Sequence, residues 1–245
     1  MSESTSANAA APAATDLTPQ QIAFFQQYGY LRVQQLFNAE EIARFESGFE
    51  SAFSKHLQER GEGLMHIKDS PLHVANQPDT RKERFLVPGI CEYSPLLSDL
   101  PNNPRIKAVV RSLLGPHYKC HGTDGSIFNC STSWHYDFFG DPFKVLTLKL
   151  SLYLDPLRHD SGAIRFMPGT NFDNEYSRKL RQIFNFRGKE NPEDVFGIKP
   201  EEAPAVTVET DPGDLVLWNY LTLHATFNGR VRRRQIGLNF SRVDP

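Results

Sequence analysis

Residues 211–228 read DPGDLVLWNYLTLHATFN, and this stretch carries the pattern on which the fold prediction depends. A Pro-Gly-Asp turn opens it, and an apolar run that predicts a strand over 214–219 follows. A second polar turn then leads to His224. A short apolar strand enclosed by two turns is typical of a domain built mainly from β-strands.

The same pattern recurs on both sides of this stretch. Short β-like runs, separated by turns that contain Gly, Pro, Asp or Asn, predict further strands over 126–134, 145–154, 163–167, 205–210 and 235–242. Only residues 174–183 have a helical pattern among them. Because these strands do not alternate with helices, the sequence predicts a mainly β (α+β) fold with a jelly-roll or barrel core.

The N-terminal part predicts a helical support layer for that core. Thr18 and Gln21 have the spacing of a capping box, and Gly29 has the place of a C-cap that ends the first helix. A strand over 30–37 follows, and Asn38 with Glu41 repeats the capping arrangement. A second helix then carries the apolar stripe Ile42, Phe45, Phe49 and Phe53. A short helix is predicted over 104–114.

The length of 245 residues favours one large domain, which we expect over 17–245. Residues 1–16 are rich in Ser, Ala and Thr and predict a disordered tail. Residues 61–104 have no regular apolar period. Long irregular segments of this kind are typical of binding loops, so we expect 61–104 to cover the substrate.

Composition excludes several classes of function. A net charge of −2 argues against nucleic acid and membrane surfaces as partners, and no apolar run is long enough to cross a bilayer. Three cysteines without a C-x-x-C pair indicate a reducing compartment, so we expect a cytoplasmic protein. The sequence leaves the oligomeric state open.

Residues 135–137, His-Tyr-Asp, predict a metal site. In an extended segment residues i and i+2 point to the same face, so His135 and Asp137 can reach one ion. One such pair is expected by chance in a chain with this many histidines and acids. His224, 87 residues after Asp137, adds a second imidazole. Two histidines and one carboxylate are the facial ligand set of non-haem Fe(II) oxygenases.

The chain resembles the phytanoyl-CoA dioxygenase family of Fe(II)/2-oxoglutarate-dependent oxygenases over nearly all of residues 17–243. The resemblance rests on five stretches in order and spacing. They are LTPQQIAFFQQYGYLRV at 17–33, WHYD at 134–137, DSGAIRFMPGT at 160–170, DPGDLVLWN at 211–219, and HATFN at 224–228 followed by Arg234.

The resemblance implies a double-stranded β-helix, which is a jelly roll, with Fe(II) bound by His135, Asp137 and His224. It also implies 2-oxoglutarate as co-substrate, with its distal carboxylate on Arg234, and O₂ as oxidant. Arg234 precedes the alternation Ile236, Leu238 and Phe240, from which we expect it to point inward. Arg232 has the same parity and is the alternative.

The implied reaction is hydroxylation of an aliphatic C–H of a small metabolite, with succinate and CO₂ as products. Halogenating relatives carry a small residue where Asp137 stands, so halogenation is not expected. Desaturation or cyclisation by the same chemistry remains open. A non-catalytic jelly-roll protein that binds a metal is the alternative from another class.

Further contacts are predicted from strand faces. Asn129 shares strand parity with His135, and we expect it to contact the co-substrate or substrate. Lys149, Ser151 and Tyr153 share a face of the next strand, and Ser151 is expected to bind the co-substrate. Three residues are expected to contact the substrate. Arg165 and Arg84 would suit an anionic small molecule, and Tyr136 lies between the predicted metal ligands His135 and Asp137.

Overall fold

The computed structural model describes residues 16–60, 84–128, 131–137, 142–185, 190, 192–229 and 232–243. Within these ranges the helices are α1 (Pro19–Tyr28), α2 (Ala39–Arg60), α3 (Ile90–Tyr93), α4 (Pro104–Leu114), α5 (Glu175–Ile183) and α6 (Pro192–Phe196). The strands are β1 (Tyr30–Val33), β2 (Arg84–Pro88), β3 (Tyr118–Phe128), β4 (Thr132–His135), β5 (Thr147–Tyr153), β6 (Ile164–Phe166), β7 (Val206–Val208), β8 (Leu215–Asn219), β9 (His224–Thr226) and β10 (Arg233–Arg242). No described helix is long and apolar enough to cross a membrane.

The strands form two antiparallel sheets. The large sheet has the order β1-β8-β5-β10-β3-β2, and the small sheet has the order β4-β9-β6-β7. Apart from β2 with β3 and β6 with β7, no neighbours in either sheet are consecutive in the chain, as in a jelly roll, where consecutive strands mostly pass from one sheet to the other. The prediction of a mainly β, jelly-roll core with flanking helices is confirmed.

The large sheet has an apolar face that packs against helices. Along β10 the even-numbered residues Ile236, Leu238 and Phe240 are buried in one cluster with leucines of β5 and β8 and with the phenylalanines of α2. Residues of opposite parity therefore face the small sheet. This division places the largest hydrophobic cluster between the large sheet and the helices. A smaller apolar cluster, with Val216 of the large sheet and Phe166 of the small sheet, lies between the two sheets and shares that space with the polar residues of the site.

The predicted helix ends are confirmed. Thr18 and Gln21 form the capping box of α1, and Gly29 ends this helix in the left-handed conformation at φ 82°. Asn38 and Glu41 exchange side-chain to backbone bonds of 2.9 and 3.0 Å at the start of α2. These local signals suffice because each bond joins residues three apart in the sequence.

The strand predictions differ from the structure in three places. The run predicted over 126–134 is two strands in different sheets, β3 and β4, and β3 begins already at Tyr118. Its first half, KCHGTDG at 119–125, has no apolar period, so no strand is predicted there. The strand predicted over 30–37 ends at Val33, because Gln35 adopts a positive φ of 48°.

The segment 61–104 is only partly described. Residues 61–83 lie outside the described residues, as do residues 1–15 of the predicted tail. Residues 84–88 form β2 at the edge of the large sheet and pair with β3, so this part is a strand and not a loop. Strand β2 therefore belongs to a sheet that carries several of the site residues described below.

Candidate active site

His135, Asp137 and His224 form one cluster between the two sheets. His135 ends β4 and is paired in register with His224, which begins β9. Asp137 follows two residues later, and its backbone N–H donates to the carbonyl of Tyr220 at 2.8 Å. Each of the three residues offers a ligand atom within 4.8 Å of the others. The predicted ligand set is thus brought together.

Hydrogen bonds orient both imidazoles toward the cluster. His135 Nδ1 lies 2.8 Å from the carbonyl oxygen of Ser133, and His224 Nδ1 lies 2.9 Å from that of Thr222. A carbonyl accepts, so each Nδ1 carries the proton and each Nε2 keeps its lone pair. His224 Nε2 lies 3.8 Å from Asp137 Oδ2. Such bonds to the second ring nitrogen are usual for metal-binding histidines.

The protonation states also suit a cation. Burial raises the pKa of Asp137, but neighbouring charges, that of His224 most, and a hydrogen bond from Trp218 outweigh it and lower the pKa below its usual range. Trp218 Nε1 donates to Asp137 Oδ2 at 2.8 Å. Burial lowers the pKa of His224. At neutral pH the cluster therefore offers an ionised carboxylate and neutral imidazole, the forms that bind metal.

A cavity of about 340 Å³ opens beside the cluster, at the small end of the range for ligand sites. Its described walls are His121, Gly122, Asp124, Ser126, Phe128, Thr132, His135, Asp137, Lys149, Tyr153, Ile164, Trp218, Tyr220, His224, Thr226, Arg233, Gln235 and Asn239. The cavity has two ends along β10, one at Arg233 and the other at Asn239.

The deep end of the cavity presents a buried guanidinium. Arg233 is 2% exposed, and its Nη1 donates to the carbonyl of Gly162 at 2.6 Å. Its guanidinium carbon lies 5.4 Å from the centre of the Phe128 ring. Burial raises the pKa of Tyr153, which lines the same end, to about 12. This end of the cavity therefore holds a cation and a protonated hydroxyl, both donors for an anion.

The structure corrects the placement of Arg234. Its guanidinium donates to Asp155 and to Glu46 of α2 at 2.7 Å, so it lies on the helix side of the sheet and not in the cavity. The predicted alternation of β10 is present, but its apolar face packs on the helices, and Arg234 shares that face. Arg232 is also outside, bonded to Glu50 at 3.2 Å. Arg233, of opposite parity, is the arginine that lines the cavity.

The expected co-substrate contacts are not all in the walls. Ser151 lies beneath the cavity wall, fully buried, and accepts a bond of 2.6 Å from Gln235 Nε2. Its strand neighbours Lys149 and Tyr153 line the cavity instead. Asn129 lies outside the described residues.

Two of the three expected substrate contacts are placed elsewhere, and the side chain of the third, Arg84, lies outside the described part of the structure. Arg165 donates to the carbonyl of Glu201 at 2.9 Å and stacks on Phe227, so it does not line the cavity. The Tyr136 ring lies beside Phe143 at 6.3 Å between centroids and is not in the wall either. Arg84 is part of β2, and its backbone pairs with Phe128.

Several wall residues were not predicted. Trp218 holds Asp137, yet its partner is 81 residues away in sequence, and an indole in an apolar strand gives no local sign of that role. Asp124 and His121 lie in the half of β3 that has no strand pattern. Asn239 and Gln235 could have been found from their parity with Arg233 along β10.

The family model for phytanoyl-CoA dioxygenase matches residues 25–234. The chain belongs to the phytanoyl-CoA dioxygenase family. The predicted resemblance is thereby confirmed, and by family the protein is a 2-oxoglutarate-dependent non-haem iron oxygenase. No curated protein matches the sequence.

Solved structures of low identity share the fold. The 2-oxoglutarate-dependent carbocyclase SnoK from nogalamycin biosynthesis has a TM-score of 0.68 at 20% identity, over 93% of this chain and 85% of that one. HygX from Streptomyces hygroscopicus, crystallised with nickel and 2-oxoglutarate, has a TM-score of 0.64 at 15% identity, over 93% and 88%. EctD from S. alaskensis has a TM-score of 0.62 at 18% identity, over 94% and 81%.

Proposed function

We propose that this protein uses Fe(II), 2-oxoglutarate and O₂ to hydroxylate an aliphatic C–H bond of a small molecule. The observation that carries the proposal is the convergence of His135, Asp137 and His224 at the wall of a cavity that also contains Arg233. A protein that merely holds a structural metal would need no buried arginine beside it.

The residues present fit the metal and the co-substrate. Two imidazole nitrogens and one carboxylate on one side of an Fe(II) ion leave three coordination positions open. The Arg233 guanidinium offers the planar fork of donors that binds a carboxylate, and the neutral Tyr153 hydroxyl can add another bond. Fe(II) with 2-oxoglutarate and O₂ would supply the oxidising power, releasing succinate and CO₂.

The chain itself contributes orientation and a dry surrounding. Trp218 fixes the Asp137 carboxylate, and the bonds to Ser133 and Thr222 fix the two imidazoles. At the deep end Phe128 and Ile164 present apolar surface to the cavity. Hydrogen abstraction requires no acid–base side chain, so the proposed chemistry gives no proton-transfer role to the ionisable residues of the walls. Desaturation and cyclisation would use the same groups, and the mass of the product would distinguish them from hydroxylation.

The test is the visible charge-transfer band of an Fe(II)–keto-acid chelate, recorded anaerobically on apo-protein with added Fe(II) and 2-oxoglutarate. We expect a band in the wild type and its loss in His224→Ala. Arg233→Gln should require about ten- to a hundredfold more 2-oxoglutarate, because it removes a charge-assisted bond to the distal carboxylate.

Arg234→Gln is the matched control, since it removes the neighbouring guanidinium from the helix side of the sheet. It should leave the 2-oxoglutarate requirement unchanged. A shifted requirement in Arg234→Gln, with none in Arg233→Gln, would reverse the assignment of the two arginines. Absence of a band in the wild type at saturating iron would overturn the proposed function and favour a non-catalytic binding protein.

A further inference from the structure

A second charged group lines the cavity at its open end. Lys149 Nζ donates to Asp124 Oδ1 at 2.5 Å, and the two side chains are 16% and 18% exposed. Their neighbour Gly122 is exposed, whereas Arg233 at the other end is buried. Asp124 is paired in register with Gly237, four residues from Arg233, which separates the backbones by about 13 Å along β10. The pair therefore belongs to a different part of the cavity from Arg233.

The Asp124–Lys149 pair is held rigidly beside the metal ligands. Asn239 Nδ2 donates to Asp124 Oδ1 at 3.3 Å, and Tyr220 fixes Asn239 through a bond of 2.8 Å. Asp124 lies flat against Gly237, where an added Cβ would come within 2.5 Å of Oδ2. Lys149 is paired in register with Trp218, the residue that holds Asp137. A site fixed in this way loses little entropy when it binds a ligand.

Both members of the pair keep bonding capacity that faces the cavity. Among the residues that the structure describes, Asp124 Oδ2 accepts no hydrogen bond, and Lys149 donates only the one to Asp124. An ammonium has two more donors, and a carboxylate oxygen has two lone pairs. Partly buried ion pairs contribute little to stability after desolvation, so stability alone does not explain this one. Its open donors and acceptor suit a molecule with both an anionic and a cationic group.

The charges of the described walls indicate the net charge of that molecule. Arg233 and Lys149 are cationic, and Asp124 and Asp137 are anionic. Burial lowers the pKa of His121, which leaves this wall residue neutral at pH 7. The two positive charges of Fe(II) and the two negative charges of the 2-oxoglutarate carboxylates cancel each other. The charges of the described walls and of the bound groups then sum to zero, and a substrate with net charge would lack compensation from them in a site of low dielectric.

We propose that Asp124 and Lys149 bind the substrate and that the substrate is a free α-amino acid. The two protein charges are adjacent, and in an α-amino acid the ammonium and carboxylate are separated by a single carbon. The ammonium pairs with Asp124 Oδ2 and the carboxylate with Lys149, which directs the side chain of the substrate toward the triad. This inference rests on the proposed function, and it replaces the anionic substrate expected from Arg165, which does not line the cavity.

The experiment uses the anaerobic Fe(II)·2-oxoglutarate protein. The proteinogenic amino acids are added singly, and the shift of the charge-transfer band and the succinate formed on exposure to air are measured. We expect at least one amino acid to shift the band. Its N-acetyl form and its methyl ester, which each lack one charge, should bind about ten- to a hundredfold more weakly.

Two variants separate recognition from a structural role. Asp124→Asn should abolish the discrimination against the N-acetyl form, and Lys149→Gln should abolish that against the methyl ester. Both should keep the band without amino acid, which shows that they fold and bind iron. Asp99→Asn and Lys107→Gln, at exposed positions outside the cavity, are the matched controls and should keep both discriminations.

Three results would overturn the inference while leaving the proposed function intact. They are a band that no amino acid shifts, N-acetyl forms that bind as well as free amino acids, and variants that keep the wild-type discrimination. If a polyol or a neutral sugar shifted the band and no amino acid did, this would count as the first of these three results. Absence of the band itself would remove the proposed function, and this inference with it.

Discussion

Trp218 controls the geometry of the metal site from outside the ligand set. Its indole donates to Asp137 Oδ2, and its ring lies 5.0 Å from that of His224. The bond holds the carboxylate in place beside His224, whose Nε2 lies 3.8 Å from the same Oδ2. A carboxylate that lost this bond could rotate, so metal affinity should depend on an indole N–H that does not touch the metal.

We therefore expect Trp218→Phe to weaken Fe(II) or Mn(II) binding about 10–100-fold, since the aromatic packing is kept and only the hydrogen bond is lost. Metal titration followed by intrinsic fluorescence or calorimetry measures this. Trp134→Phe is the control, because Trp134 donates a similar bond of 2.7 Å to the carbonyl of Pro200, outside the triad. Equal metal affinities in the two variants would contradict the role given to Trp218.

Residue-scale prediction from the sequence succeeds where the chemistry is carried by spacing. His135 and Asp137 are two apart on an extended segment, so their common face follows from the strand period alone. Arg233 could not be chosen over Arg234 from the same period. The alternation of β10 defines two faces, and only the tertiary structure determines which one is covered by helices. Trp218 depends on a contact between the two sheets, and Asp124 depends on contacts between strands of the large sheet. No local pattern records either of them.

The turn before β6 is the element that positions Arg233. Gly162 adopts φ 87°, and its carbonyl accepts the bond from Arg233 Nη1. An added Cβ would come within 2.8 Å of that same nitrogen. The glycine thus serves two purposes, since it permits the left-handed turn and makes room for the guanidinium.

Gly162→Ala should raise the 2-oxoglutarate concentration needed for half of the charge-transfer band, because the guanidinium must move. Gly115→Ala is the matched control: Gly115 has φ 82°, yet nothing lies within 4 Å of its added Cβ. Both variants should lose stability because alanine is strained at a positive φ, and Gly162→Ala should lose more, since its added Cβ would also come within 2.9 Å of Gly229 Cα. Only Gly162→Ala should change the 2-oxoglutarate requirement, and an equal change in Gly115→Ala would assign the effect to backbone strain.

Element prediction from the sequence follows the strength of local signals. Helix α4 is predicted at its observed bounds, since Pro104 stands at its start and Gly115 follows its end, and in the structure Asn103 caps it. The first half of β3 has no such signal. It is a strand because β10 pairs with it, whereas β2 pairs with β3 only from Asp124 onward. This half of β3 leads Asp124 into the cavity. The site residue Asp124 therefore follows a segment whose conformation is determined by its pairing with another strand.

At the scale of the whole molecule, a partly buried ion pair joins two helices of the helical layer to each other. Arg105 of α4 donates to both carboxylate oxygens of Glu41 in α2 and to the carbonyl of Leu36 at 2.6 Å. Its guanidinium carbon lies 4.5 Å from the centre of the Phe37 ring. This arginine therefore connects both helices to the segment between β1 and α2.

Burial alone would raise the pKa of Glu41, but the hydrogen bonds from Arg105 and Asn38 and the charge of Arg105 lower it overall. A carboxyl group with a lowered native pKa stabilises the fold above its unfolded-state pKa, and this contribution disappears as the pH falls through the native value. Glu41→Gln keeps the capping bond to Asn38 and removes the charge. We expect it to lower the free energy of unfolding by roughly 2–3 kcal/mol at pH 7.

Urea denaturation at pH 7 and at acid pH measures this contribution, with Glu59→Gln as the control on the same helix. Glu59 pairs with Lys55 at 4.0 Å, and both side chains are about half exposed, so its removal should cost less than about 0.5 kcal/mol. The difference between wild type and Glu41→Gln should shrink as the pH falls below the native pKa of Glu41, because the wild-type carboxyl is then neutral too. If the two variants were equally stable at pH 7, the connection between the helices would rest on apolar packing alone.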